Sequence, residues 1–310
     1  MKYVLGVDSG GTKFLVRAVT LTGEDIASFE TGPCGHYGQG IDVARQKVDE
    51  ALTRCLALFG GDRADCAALV SGAAGVDSEE DAVLLNDMYK SLPGFTCPIH
   101  VVNDGELAHH LVTGGTGILL IAGTGSICFG KGRTGRMARI GGYIKEIASD
   151  EGSGRYIDAW AMHHLSRYLD GVRKPSPFLE DLMESTGVRT QKAIMDLGER
   201  MGTPPWYNPR VGAIVNKHAL AGDPYAQDIL EHAAAWGLDL VKEAVTLLGM
   251  EDEDPLRVGI WGSTILKGEY HRKAFARMLS ETYPRAVILT ATKDAARGAA
   301  DWALEYAEKE

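Results

Sequence analysis

The sequence predicts an α/β protein made of two similar domains. Strand-like and helix-like stretches alternate along the chain, the order of elements that builds mixed α/β sheets. The segment YVLGVDSGGTKFLVRAVTLTGE returns later as TGILLIAGTGSICFGKGRTGRM. Gly11-Thr12 is matched by Gly123-Thr124, and Thr22-Gly23 by Thr134-Gly135, at one constant offset. A length of 310 residues suits two such units of about 150 residues each.

Residues 3–8 read as a buried strand that ends on Asp8. SGGT then makes a turn, FLVRAVTL a second strand and Thr22-Gly23 another turn. Apolar residues at helical spacing predict a helix over 41–59. AALVSGAAG is a strand, 79–91 a helix, IHVVND a strand, and GELAHHLV opens the next helix. After the second copy of the hairpin, a helix is predicted over 155–169. The proline-rich residues 170–210, ending in TPPWYNPR, read as a surface excursion. A long helix follows over 225–248, then an acidic turn (EDEDP) and the strand LRVGIWG. STILKGEYHRKAFARML reads as one helix, AVILT as the last strand, and DAARGAADWALEYAEKE as the final helix. The expected domains are 1–110 with 293–310, and 111–292.

A formal net charge of −10 argues against nucleic acid and anionic membranes as partners, because both need a positive face. The first apolar run is broken at Asp8, too early for a signal peptide or a spanning helix, so the expected location is cytoplasmic. Five cysteines, with no CxxC pair, give no zinc or disulfide framework and are expected to be reduced and mostly buried. His109-His110 and His163-His164 are adjacent pairs, which point to different faces of a helix and so make no metal pattern. The chain has no GxxxxGK[ST] loop, no GxSxG elbow, and no GxGxxG after a strand.

Four stretches can carry chemistry. In DSGGT (8–12), glycines let backbone N–H groups close around an anion, Thr12 and Lys13 add donors, and Asp8 can hold a phosphate-bound Mg²⁺ through water. The same stretch fits a plain hairpin with a solvated Asp. At Asn103-Asp104 a strand runs into a helix, so Asp104 can take the proton of an attacking hydroxyl, or can simply cap the helix. In ASDEGSGRY (148–156), Asp150 can accept hydrogen bonds from neighbouring hydroxyls, or again cap a helix, and Gly141, Gly142 and Tyr143 precede it as a loop. In IWGSTILKG, Gly262 and Ser263 open a helix whose N-terminus suits phosphate or the polar groups of a nucleotide.

VDSGGTK, SGAAG, VNDGELA, IAGTGSI, GGY, DEGSGRYI, AGDP and WGSTI, in this order, resemble the BadF/BadG/BcrA/BcrD ATPase family and, within it, the N-acetylglucosamine kinases. The resemblance spans essentially the whole chain. It implies two actin-like (ribonuclease H-like) domains with a nucleotide and substrate cleft between them. It also implies ATP-dependent phosphorylation of an amino sugar such as N-acetylglucosamine or glucosamine, with Mg²⁺. Asp104 resembles the catalytic base, and Asp8 the acid near the metal. Gly10, Gly11, Thr12, Lys13, Gly123, Thr124, Gly125, Ala219, Gly262 and Ser263 fall at ATP positions. His36, Ser71, Asn103, Asp104, Ser126, Gly142, Tyr143 and Asp150 fall at substrate positions. Homodimers are common in the family, but no interface is legible here.

Three positions depart from the kinases. Gly35 stands where an asparagine precedes the histidine, GGYI replaces GGWG, and Ile127 stands where relatives often carry asparagine. ATPase activators of 2-hydroxyacyl-CoA dehydratases and benzoyl-CoA reductases share the family. They place a cluster-ligating cysteine where this chain has Ser149, so the resemblance favours the kinase. A non-catalytic, sugar-sensing module is the third reading.

Overall fold

A computed structural model describes residues 1–143, 150–202 and 209–308. The chain divides into two compact units, 1–115 with 291–310, and 116–290.

Unit 1 is built on a five-stranded sheet of β1 (Tyr3–Ser9), β2 (Phe14–Thr20), β3 (Asp25–Thr31), β4 (Cys66–Ala73) and β5 (Ile99–Asn103), in the order β3-β2-β1-β4-β5. The central β1 is antiparallel to β2 and parallel to β4. It is covered on both faces, which explains its unbroken apolar run. Tyr3, Leu5 and Val7 enter the core shared with α1 (Ile41–Ala57) and α2 (Glu79–Lys90). Val4 joins the other core, with Leu107 of α3 (Asp104–Thr113) and the alanines of α11 (Ala295–Ala307). Gly6 lets α11 lie directly on the sheet, since a Cβ there would collide with the Ala296 carbonyl oxygen and the Ala300 nitrogen.

Unit 2 repeats this plan. Its strands are β6 (Gly117–Ala122), β7 (Ser126–Lys131), β8 (Met137–Gly141), β9 (Leu256–Trp261) and β10 (Ala286–Leu289), in the order β10-β9-β6-β7-β8. Read from β8, this is again third, second, first, fourth, fifth strand. The two hairpins are not identical: residues 10–13 separate the paired Ser9 and Phe14, whereas only 123–125 separate Ala122 and Ser126. The second loop is therefore one residue shorter, although the matched positions, Gly11-Thr12 within the loop and Thr22-Gly23 after β2, keep one offset.

The sheet of unit 2 packs on α8 (Pro224–Leu248) and α10 (Glu269–Thr282). A second core joins α4 (Gly154–Leu169), α5 (Pro177–Thr186), α6 (Gln191–Gly202) and α7 (Gly212–Leu220) to α8. This corrects the expectation of a surface excursion over 170–210. Pro177 does not break a helix there. It sits in the first turn of α5 behind the cap Ser176, where its missing N–H costs nothing. Phe178, Leu179 and Leu182 are wholly buried. Residues 203–208 of TPPWYNPR lie outside the described residues. The single helix expected after Gly262 is two, α9 (Ser263–Lys267) and α10, divided at Gly268, whose Cβ would stand 2.5 Å from the Thr264 carbonyl oxygen. The strands β3 and β8 and the helix α7 were not legible: β3 and β8 are half-exposed edges without a clean alternation, and α7 has only nine residues.

Candidate functional site

In unit 1 the parallel strands β1, β4 and β5 end on one edge of the sheet, the edge where α/β proteins place ligands. The β1–β2 loop lies there. Gly10 N–H donates to the Lys13 carbonyl at 3.0 Å, which closes the turn. Gly11 and Thr12 are exposed, and their backbone N–H groups have no partner among the described residues. Lys13 reaches Glu30 at 3.5 Å.

Two carboxylates face this edge. Half-buried Asp8 has its pKa raised, chiefly by burial; Lys13 opposes the rise, and Asp104, Asp294 and Glu30 add to it. Asp104 is the first residue of α3, but it is not the cap. Asn103 is: its Oδ1 accepts from Gly105 N–H at 2.8 Å while its Nδ2 donates to the Val76 carbonyl at 2.9 Å. The Asp104 carboxylate therefore keeps one local bond, from Gly105 N–H at 2.9 Å, and otherwise meets solvent. It sits in enough surrounding protein for desolvation to raise its pKa; the Gly105 N–H opposes this, and the Asp77 carboxylate adds to it.

Asp294, which the motif reading missed, braces the edge. It caps α11 and holds Arg17 of β2 through two bonds, at 3.0 and 2.6 Å. Burial pushes its pKa up, but these bonds and the Arg297 N–H outweigh that and hold it low. The signal was present as the N-cap before AAR.

Two predicted substrate residues of unit 1 behave differently. Ser71 is fully buried and its hydroxyl pairs with the Tyr89 hydroxyl at 3.0 Å, so it serves the core and not an open face. His36 lies at the edge beside Gly75, with Nδ1 buried and unpartnered.

In unit 2 three elements converge on the shorter hairpin. The Gly123 carbonyl accepts from Gly154 N–H at 2.8 Å and from the Thr264 hydroxyl at 2.7 Å. Arg155 N–H donates to the Thr124 carbonyl at 3.2 Å. These bonds pin the loop against the starts of α4 and α9. Gly262 has φ 98°, and a Cβ there would lie 2.5 Å from the Ala122 carbonyl oxygen, so only glycine fits. Thr124 and Ser263 are exposed beside this junction. The N–H groups of Gly154 and Arg155 are spent on the loop carbonyls and that of Gly123 on the Gly125 carbonyl at 2.9 Å, which leaves the N–H groups of Thr124 and Gly125 without a partner among the described residues.

Asp150 is turned inward. It is 5% exposed, and its Oδ1 accepts from Ser126 N–H at 3.0 Å with Arg155 3.7 Å away. The Ser126 hydroxyl donates to the Glu151 carbonyl at 2.7 Å. Both residues fix the hairpin, and the structure does not present their polar groups to a ligand. Gly142 (φ 72°) and Tyr143 follow β8; Tyr143 is exposed and lies under the Arg139 guanidinium. Ala219 is buried in α7, and its carbonyl accepts from Gln227 at 3.1 Å. Ser149 lies outside the described residues.

Among the described residues, no group of three or more His, Cys, Asp or Glu could hold a metal ion. Asp8 still fits a cation, since its pKa is raised by burial and by the neighbouring Asp104, Asp294 and Glu30 carboxylates. A dication delivered with phosphate oxygens would relieve that repulsion. Among the described residues no helix is long and apolar enough to cross a membrane.

An N-acetylmuramic acid/N-acetylglucosamine kinase of Clostridium acetobutylicum is 30% identical over 303 residues, covering 96% of this chain and 97% of its own. A solved structure from Chromobacterium violaceum superposes with a TM-score of 0.74 at 26% identity, covering 98% of this chain and 99% of that one. A ROK family glucokinase from Streptomyces griseus, solved with glucose and AMPPNP, shares the fold at a TM-score of 0.56 and 19% identity, covering 98% and 99%. The model of the BadF/BadG/BcrA/BcrD ATPase family matches residues 5–303, and the chain belongs to that family.

Proposed function

We propose that the protein is an ATP-dependent kinase that phosphorylates a hydroxyl of an amino sugar, N-acetylglucosamine or glucosamine. The observation that carries this reading is Asp104. A carboxylate at a helix start would ordinarily be spent as the cap, but Asn103 does that work and leaves Asp104 open. Family membership and the kinase relative support ATP as phosphoryl donor.

Asp104 accepts the proton of the sugar hydroxyl as its oxygen bonds to the γ-phosphorus; the bond from that phosphorus to the β-bridging oxygen breaks, and ADP leaves. The unpartnered N–H groups of Gly11 and Thr12 in unit 1, and those of Thr124 and Gly125 in unit 2, can each take phosphate oxygens in place of water. Mg²⁺, held near Asp8, would neutralise phosphate charge. Lys13 adds a positive charge on the same loop as the free N–H groups.

The test is a coupled ADP-release assay across glucosamine, N-acetylglucosamine, N-acetylmuramic acid and glucose, with products identified by mass. Sugar-dependent ADP release with a phosphosugar product is expected. ATP hydrolysis with no phosphosugar would sink the reading.

A further inference from the structure

The loop between β3 and α1 carries an exposed aromatic ring at the catalytic edge of unit 1. Tyr37 is 63% exposed although it is large and apolar over most of its surface. One face of its ring is taken: it stacks on His36 with centroids 4.3 Å apart and planes 31° from parallel. Its edge rests over Gly75, where a Cβ would run into the ring and also stand 3.4 Å from His36 Cε1. Gly75 is followed by Val76, whose carbonyl accepts from Asn103, the residue directly before Asp104. Tyr37, Gly75 and Asp104 thus belong to one continuous edge of unit 1. The loop is glycine-rich, with Gly38 at φ 79° and Gly40 at φ 83° directly after the ring.

We propose that Tyr37 is a specificity-determining platform for the acceptor. Its open face takes the apolar C–H face of a hexopyranose, while His36 backs the ring on the other side. An aromatic ring suits a pyranose because equatorial hydroxyls leave a flat patch of C–H groups, which gains contact and loses water on stacking. Gly75 positions the ring by leaving room for it. This inference rests on the sugar-kinase reading above.

Steady-state kinetics on Tyr37→Ala, Tyr37→Phe and Gly75→Ala test it, with glucosamine and N-acetylglucosamine as acceptors. For whichever sugar the wild type uses, Tyr37→Ala raises the sugar KM about tenfold, and the ATP KM stays within about twofold. Tyr37→Phe restores the wild-type sugar KM, because the ring and not the hydroxyl makes the contact. Gly75→Ala moves in the same direction as Tyr37→Ala. A sugar KM unchanged in Tyr37→Ala, or equal rises in the sugar and ATP KM, overturns the inference. A wild-type protein that phosphorylates no sugar instead overturns the reading beneath it, so the two failures are distinguishable.

Discussion

Asp104 and Asn103 show how adjacent residues divide two tasks. The sequence placed both at a strand-to-helix junction and left open whether the aspartate caps the helix or does chemistry. The side-chain bonds of Asn103 show that it, and not Asp104, is the cap. Asp104→Asn is expected to lower kcat by about 10²–10⁴-fold while ATP affinity is kept, as measured by turnover and by nucleotide titration. Because the Asp104 pKa is raised, kcat falls with decreasing pH through a value above the ordinary carboxylate range. The stability sign is opposite to that of a paired acid: a raised pKa favours the protonated folded state, so ionised Asp104 costs stability once pH exceeds it. Asp104→Asn should therefore melt above the wild type at pH 7, with the gap closing in acid; a lower melting temperature at pH 7 would contradict this. His271 is another proton-linked residue. Burial pushes its pKa down to about 4. The unfolded chain binds that proton near pH ~6.5, so unit 2 loses on the order of 3 kcal/mol as pH falls from there toward 4. Denaturant titrations across this range should show the slope, and His271→Gln should flatten it.

At the scale of elements, two glycines set close approaches that no periodicity announces. Gly6 looks like an ordinary small residue inside a strand, yet it is where α11 meets the sheet. Gly6→Ala should cost several kcal/mol or abolish folding, since its clash is with helix backbone and not with a movable side chain. Gly262 joins β9 to α9 with a positive φ and a carbonyl oxygen where a Cβ would be. Gly262→Ala should displace the 123–125 loop and weaken ATP binding at least tenfold, as read by calorimetry; full affinity would show that the loop does not hold the nucleotide. The Gly262 motif was visible in WGSTI. The partner it fits, the hairpin carrying Gly123, was visible only as a repeat.

The whole molecule is a duplication in which one half is discontinuous. Unit 2 is a single stretch, whereas unit 1 needs α11 from the far end of the chain. Without α11, Val4, Val19, Ala68 and Val70, all fully buried, lose their cover. A chain ending at residue 290 should therefore fail to fold unit 1, with rapid proteolysis of residues 1–115; resistance equal to that of the full chain would refute this.

By itself the sequence determined the α/β class, the repeat, the hairpin glycines and the helix-start aspartate. These are local properties: periodicity follows burial on one face, and glycine and Asp mark particular backbone conformations. The helices over 177–202 escaped because their signal is a proline and short apolar pairs, whose meaning depends on the core they enter. Only tertiary structure decided which polar residues face outward. Ser71, Ser126 and Asp150 belong to polar motifs in the sequence, but each is buried and makes a hydrogen bond to a distant part of the chain. A buried polar group must find such a partner or lose its hydration uncompensated, and no local pattern records where that partner lies.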